Sequence, residues 1–366
     1  MDDSTKRDRF RRFWQPLEKG EGGYLAVISP IDDSGLLPYK LDPPADLHEL
    51  WMSTEYRVKK AEADAQNTFW GQDAVQTVST HFGAGAHAAL LGAPYELRES
   101  TVWFDLNPPI KSWDKVPDLK TNRDHEIYKA IDAHTRALCA ASKGRYAVPV
   151  TDIGGQYDVL FSLRGEELLS DFLDYPDKVL AAQAQLDDLF IDWFDELCGI
   201  IEPTGCGYTG WIPTIHDDPW YPLQCDMSVM ISPKMFEKFV LPSVDKVSTA
   251  IGQSIFHLDG PGQFRHLDML LSLKYIHAIQ WVPLPDTEIG NPDYYFQDFA
   301  DELSLAIYKK TLAAGKKLAL LGVWPHQIPV IYNEVGTDGV FIQTVCKTRK
   351  EADDLIDCAK KNWIKV

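Results

Sequence analysis

The sequence predicts an α/β fold, a (β/α)8 TIM barrel preceded by an irregular, partly helical N-terminal extension. Three observations carry this expectation. Short apolar runs alternate with stretches of helical periodicity along most of the 366 residues, as in a parallel sheet covered by helices. Eight such runs can be counted, the number a closed barrel requires. Polar and ionisable residues then collect where those runs end, the face on which barrels of this type carry their chemistry.

Residues 1–75 read as an extension packing on a barrel made of residues 76–366. Within the extension, Tyr24-Leu25-Ala26-Val27-Ile28 is a short strand and residues 46–67 are a helix with apolar positions at helical spacing. The expected barrel strands are 77–81, 145–150, 207–212, 222–227, 253–258, 276–282, 317–323 and 339–344. Helices are expected over 124–142, 165–174, 176–200, 232–250, 266–273, 294–314 and 350–362. Pro176 suits the first turn of its helix, where no amide hydrogen is needed. Gly83-Ala84-Gly85-Ala86-His87-Ala88 matches the looser GxGxxA form of a dinucleotide-binding turn. No regular βαβ unit follows it for about sixty residues, so the barrel stays ahead of a doubly wound sheet.

Composition narrows the class of partner. Lysine and arginine number 36 against 54 aspartates and glutamates, a net charge of −18. Such a surface disfavours nucleic acid and anionic membranes, because no basic face displaces counterions. The early basic cluster (Lys6, Arg7, Arg9, Arg11, Arg12) is not followed by an apolar segment, so it does not read as a secretory signal. No apolar run approaches the length of a membrane span. The cysteines at 139, 198, 206, 225, 346 and 358 are scattered without a CxxC pair, as in a cytoplasmic protein with reduced thiols.

The strongest site signal is Phe256-His257-Leu258-Asp259-Gly260-Pro261-Gly262, a strand ending in a histidine, an acid and two glycines. His257 and Asp259 lie two apart and face the same side of a continuing strand. The carboxylate there can orient the imidazole, raise its basicity or share a metal with it. The plainer alternative is a core histidine beside an aspartate that caps a turn. Asp226 ends another run and is a candidate general acid or base. Cys346 follows the last run, where a thiolate could meet His257 on zinc, a metal that favours N and S donors. Asp152, Trp211, Gln280 and Trp281 are the expected substrate-binding residues, the rings suiting a polar organic molecule with apolar faces. Trp103 and Trp324 are further candidate walls.

Several landmarks resemble the uroporphyrinogen decarboxylase superfamily, which includes cobalamin-dependent methyltransferases. They are Asp152-Ile153-Gly154-Gly155, Leu163-Arg164-Gly165-Glu166-Glu167-Leu168-Leu169 and Tyr175-Pro176-Asp177-Lys178-Val179. Asp226 ahead of Ile231-Ser232-Pro233-Lys234-Met235-Phe236 and Leu241-Pro242 continues the order. His257-Leu258-Asp259-Gly260 and Gln280-Trp281-Val282-Pro283 complete it. The resemblance spans roughly residues 75 to 360 and implies a (β/α)8 barrel with its cleft at the strand ends. The arginine-rich segment with which the decarboxylase proper grips porphyrin carboxylates has no counterpart, so heme synthesis is not expected.

The zinc methyltransferases of that superfamily use a His-x-Cys pair and a distant C-terminal cysteine. Here Asp259 stands at the pair's second position, and Cys346 falls where the distant thiol would be. The resemblance therefore implies zinc on His257, Asp259 and Cys346, with Asp226 handling protons. Methyl transfer would run between a small methylated compound or thiol and a corrinoid carried by a separate protein. The competing expectation is a metal-free lyase or decarboxylase on a small polar or carbohydrate-like substrate.

Overall fold

The longest aliphatic runs become the strands of one sheet. The structure, a computed structural model, describes residues 3–34, 37–104, 107–116, 119–283 and 297–364. Its strands are β1 (Tyr24–Pro30), β2 (Thr68–Gln72), β3 (Glu96–Leu97), β4 (Val102–Trp103), β5 (Tyr221–Leu223), β6 (Ser254–Asp259), β7 (Ile276–Val282), β8 (Lys317–Leu321) and β9 (Val340–Val345). Seven form the central sheet, in the order β2-β1-β9-β8-β7-β6-β5, while β3 and β4 form a separate pair. All neighbours in the large sheet are parallel except β1 and β2. Parallel strands are covered on both faces, which explains their near-continuous apolar sequences.

The sheet differs from the expected closed barrel in two respects. Residues 24–30, expected outside the barrel, lie inside the sheet, with Tyr24 opposite Phe341 and Ile28 opposite Val345. Tyr24 to Val27 are all essentially buried, so this run needs cover on both sides. Conversely, three expected strands do not form ladders. Thr77 and Ala147 make a single parallel bridge, and Tyr208 bridges to His216. Val150 N donates to Thr209 O at 3.0 Å, which keeps these segments alongside one another without a regular ladder. Pro149 lacks the donor a central strand needs, and Gly207 and Gly210 supply no side chain to pack. The sheet therefore has edges at β2 and β5 and is not closed.

The helices follow the predicted periodicity closely. Residues 124–142 and 176–200 correspond to Glu126–Ser142 and Pro176–Ile201. The helix expected over 46–67 divides into Leu47–Met52 and Thr54–Asn67, because the Ser53 side chain caps the second by accepting from Tyr56 N. The helix expected over 294–314 is seen as Glu302–Ala313, capped by Asp301, and its proposed start at 294–296 lies outside the described residues. The glycine turn at 83–88 opens a helix of five residues, Ala86–Leu90, too short for a dinucleotide-binding unit. Among the described residues, no helix is long and apolar enough to cross a membrane.

The early basic cluster is largely structural. The helix Asp3–Phe13 lies with Arg9 buried against Asp73, whose Oδ2 also accepts from Arg9 Nη2 at 3.0 Å and from Leu25 N at 2.8 Å. Arg9 Nη2 donates further to Gly23 O at 2.7 Å. Lys6 Nζ donates to Ala74 O at 2.9 Å, and Lys317 at the start of β8 pairs with Glu21 at 2.8 Å. Lys317 Nζ also donates to Arg12 O at 2.9 Å, so these contacts tie the N-terminal helix to β1 and β8. Removing one partner of a buried ion pair leaves the other uncompensated, so Asp73→Ala is expected to lose about 3–5 kcal/mol. Urea unfolding reads this directly, and an unchanged midpoint would refute the anchoring role.

Candidate functional site

Beta-strand register places the first two groups. In the parallel pair β6–β7, His257 is opposite Gln280 and Leu258 is opposite Trp281. Alternation sends His257, Asp259 and Gln280 to one face, with Leu258 and Trp281 on the other. His257 Nδ1 meets Gln280 Oε1 in a close hydrogen bond, and Gln280 Nε2 donates to Trp281 O at 3.3 Å. With Nε2 of Gln280 engaged by Trp281 O, its Oε1 faces His257 Nδ1, and His257 Nε2 is left facing two carboxylates.

Those carboxylates belong to Asp259 and Asp226, whose Oδ1 atoms lie 3.8 Å and 3.9 Å from His257 Nε2. After Asp259 the chain turns at Gly260, where φ is +81°, a conformation open to glycine. The turn returns Gln263 beneath the strand end. Its Oε1 accepts from Asp259 N and its Nε2 donates to Cys225 O, both at 3.0 Å, joining β6 to the segment that carries Asp226. From the other side, Asp158 accepts from Asp226 N and Met227 N, each at 2.8 Å. A Cβ on Gly155 would stand 2.0 Å from Asp158 Oδ2 and 2.7 Å from Gln224 O, so this approach requires glycine.

The electrostatics are those of crowded acids. Asp226 Oδ1 is enclosed with no hydrogen-bond partner, although the side chain keeps 43% of its area open. Burial, followed by the charges of Asp158, Asp259 and Asp152, raises its pKa well above the ordinary carboxylate range. Burial also raises Asp259, with His257 opposing the shift. Asp152 lies buried behind the cluster. Its Oδ1 accepts from Tyr221 Oη at 3.2 Å and from Gly154 N at 3.0 Å, and burial raises its pKa against the opposing effect of His81. Three acceptors thus converge where a proton or a cation is needed to hold them together. His257 Nε2 and the two carboxylates form a group within 4.8 Å of one another that could hold a metal ion.

Trp211 joins this group, its ring edge-on to His257 at 5.2 Å and its Nε1 enclosed without a partner. Two expected members do not. Trp281 is wholly buried on the opposite face, where Nε1 donates to Ser304 Oγ at 2.8 Å. It is a core residue because the pleat that brings in Gln280 turns its neighbour away. Cys346 is buried beyond β9, its amide donating to Ile28 O at 2.7 Å, and it is absent from the Asp226, His257 and Asp259 group. Two strands, β7 and β8, separate its strand from β6. Burial pushes the Cys346 thiol up to about 12. Trp324 lies in a different cleft with His326, Val330 and Lys347.

Beside Asp226 opens a cleft of about 300 Å³ lined by Trp103, Phe104, Asp158, Phe161, Gln224 and Met227, among others. Sequence reasoning missed Asp158, Gln263 and Tyr221. An acid three residues after Gly154-Gly155, in the first turn of Gln156–Arg164, was the available signal for Asp158. Nothing comparable marked the other two.

No family model matches the chain, and no curated protein matches it. Among solved structures it is similar to a methyltransferase from Methanosarcina mazei, with a TM-score of 0.59 and 11% sequence identity. The fold is shared. The match covers 97% of this chain and 98% of that one.

Groups whose pKa is raised by folding stabilise the protein fully below the ordinary carboxylate range, and that contribution is lost as pH rises. The melting temperature of metal-free Asp226→Asn, relative to the unsubstituted protein, is therefore expected to improve as pH increases from that range. A pH-independent difference would show that folding does not raise the pKa of Asp226.

Proposed function

We propose that this chain is a cytoplasmic methyltransferase of the uroporphyrinogen decarboxylase-like superfamily. It would move a methyl group between a small methylated compound or thiol and a corrinoid carried by a separate protein. The extended segments around Thr77, Ala147 and Thr209 would complete its barrel. The observation that carries the reading is the convergence of His257 Nε2, Asp226 Oδ1 and Asp259 Oδ1. One imidazole nitrogen with two carboxylate oxygens is an acceptable donor set for zinc, and the unpartnered Asp226 Oδ1 is the buried atom such an ion would satisfy. Asp226 thus replaces Cys346 in the ligand set expected from sequence. The fold likeness to a methyltransferase supports the class of reaction.

Zinc, when bound, would lower the pKa of a substrate thiol and hold its thiolate. The chain's own residues do the rest. Gln280, through its bond to His257 Nδ1, would orient the ring so that Nε2 faces the metal position. Asp158 and Gln263 hold the backbone on either side of the cluster. Trp211 and the cleft walls orient the substrate and exclude water. A second reading, the metal-free lyase, draws support from the raised pKa of Asp226, which would let it donate a proton while His257 Nε2 accepts one.

Metal analysis separates the two. Stoichiometric zinc is expected in the purified protein, lost in His257→Ala and retained in Cys346→Ser. A zinc-free protein that turns over substrate would sink the metal reading and favour the lyase. Gln280→Leu removes the outer partner of the imidazole, and a tenfold to hundredfold weaker zinc affinity is expected. Competition with a chromogenic chelator measures it, and an unchanged affinity would count against the ligand role of His257.

A further inference from the structure

We infer that His81 is the base that receives the proton of a thiol ionised at the site, with Asp152 steadying the imidazolium. The assignment rests on the methyltransferase reading above and meets a need which that reading leaves open. With a metal in place, His257 Nε2 is a ligand, and Asp226 and Asp259 are committed to the same ion, whose charge lowers their affinity for a proton. Asp158 is occupied by the amides of Asp226 and Met227. None of these groups is free to take the proton an S–H group gives up.

Backbone register brings His81 to the same end of the molecule. Thr77 bridges in parallel to Ala147. Two threonine hydroxyls then lock the segments together: Thr80 Oγ1 donates to Pro149 O at 3.1 Å, and Thr151 Oγ1 to Thr80 O at 2.8 Å. Continued from the bridge, this register sets His81 level with Thr151, beside Asp152. Asp152 is the strongest charge acting on His81. It also feels His257 and acts on Asp226, so the pair borders the metal position. The His81 ring is half-buried and makes no hydrogen bond among the described residues. By contrast, His134, His266 and His277 are bonded to backbone carbonyls, and His216 is held by Asp218 and Gln253.

Arg57 gives an independent pointer. It is 6% exposed, its Nε is enclosed without a partner, and no acid pairs with it among the described residues. A buried cation without a counter-charge is costly, so its position calls for a reason. Its Nη2 donates to His81 O at 2.7 Å, and the guanidinium lies 4.9 Å and 5.4 Å from the ring centres of Trp51 and Phe82. Arg57 thus fixes the backbone of His81 and sets a positive charge behind it. His134, stacked on Phe82, adds no charge, because burial pushes its pKa down to about 4. Burial and Arg57 hold His81 below the ordinary imidazole range, while Asp152 opposes them. The ring is therefore neutral and able to accept before the step. In the step the S–H bond breaks with its electron pair left on sulfur, and the proton passes to a ring nitrogen of His81. Arg57 afterwards favours its release to solvent.

Two measurements test the assignment. Proton NMR of the metal-free protein follows the His81 ring, identified by its absence in His81→Gln. Its pKa is expected below the ordinary value of about 6.5, higher in Arg57→Met and lower still in Asp152→Asn. A titration that neither substitution moves would overturn the inference. The zinc-loaded protein is then given methylcobalamin and 2-mercaptoethanol, and the loss of methylcobalamin absorbance is followed across pH. The rate is expected to fall as pH drops below the pKa of His81. His81→Gln should keep its zinc, lose about a hundredfold in rate and lose that inflection. An unchanged rate and inflection in His81→Gln would refute the role of His81 and leave methyl transfer standing. Transfer by neither protein would remove the methyltransferase reading, and the thiol step with it, even with the ring titrating as expected.

Discussion

The register between β6 and β7 is the constraint on which the site depends. It sets His257 beside Gln280, and the period of two then sends Asp259 to the same face and Trp281 to the other. A slip of one residue would exchange the polar and apolar faces of a strand whose neighbours bury it on both sides. The register is therefore secured by the packing of Leu258 and Trp281 in the core, far from any chemistry. Precise placement of the imidazole is a by-product of apolar burial.

The cluster itself is held by contacts that run against its electrostatics. Asp158 binds two backbone amides and in doing so brings a further carboxylate close to Asp226. Backbone hydrogen bonds to an ionised carboxylate are strong enough to keep it there. The repulsion that remains is displaced onto Asp226, whose Oδ1 has no donor. A site built this way stores an unmet demand for positive charge, which a proton, a metal or a cationic ligand can satisfy. Part of the chain's stability is given up to keep that demand available.

Much of this was legible in the residues. His257, Asp259 and Asp226 stand at the ends of apolar runs, and polar groups in such places have few structural reasons to be there. The strands β6 to β9 were legible because apolar residues dominate each run of five to seven residues. Trp281 misled because an indole beside a glutamine suggests a shared site, whereas pleating separates adjacent side chains. Cys346 misled because strand order is not written in spacing along the chain, and β7 and β8 lie between its strand and β6. The segments at 77–81, 145–150 and 207–212 have strand composition, but ladder formation depends on neighbours, and Pro149 removes a donor where one is needed. Gln263 and Tyr221 act through tertiary geometry that no local pattern encodes.

The pairing of β1 with β9 has a consequence for how the molecule is made. Tyr24 stands opposite Phe341 in the ladder, so β1 is synthesised long before its partner β9. Until then β1 can pair with β2, while its other edge stays open. Closing so long a loop adds little entropy beyond a shorter one, since the cost grows only with the logarithm of length. The delay is what matters: contacts of such wide sequence separation form late and fold slowly. An open, apolar strand edge persisting through synthesis invites pairing with another nascent chain. This protein's assembly thus depends on keeping the free edge of β1 unengaged until β9 arrives.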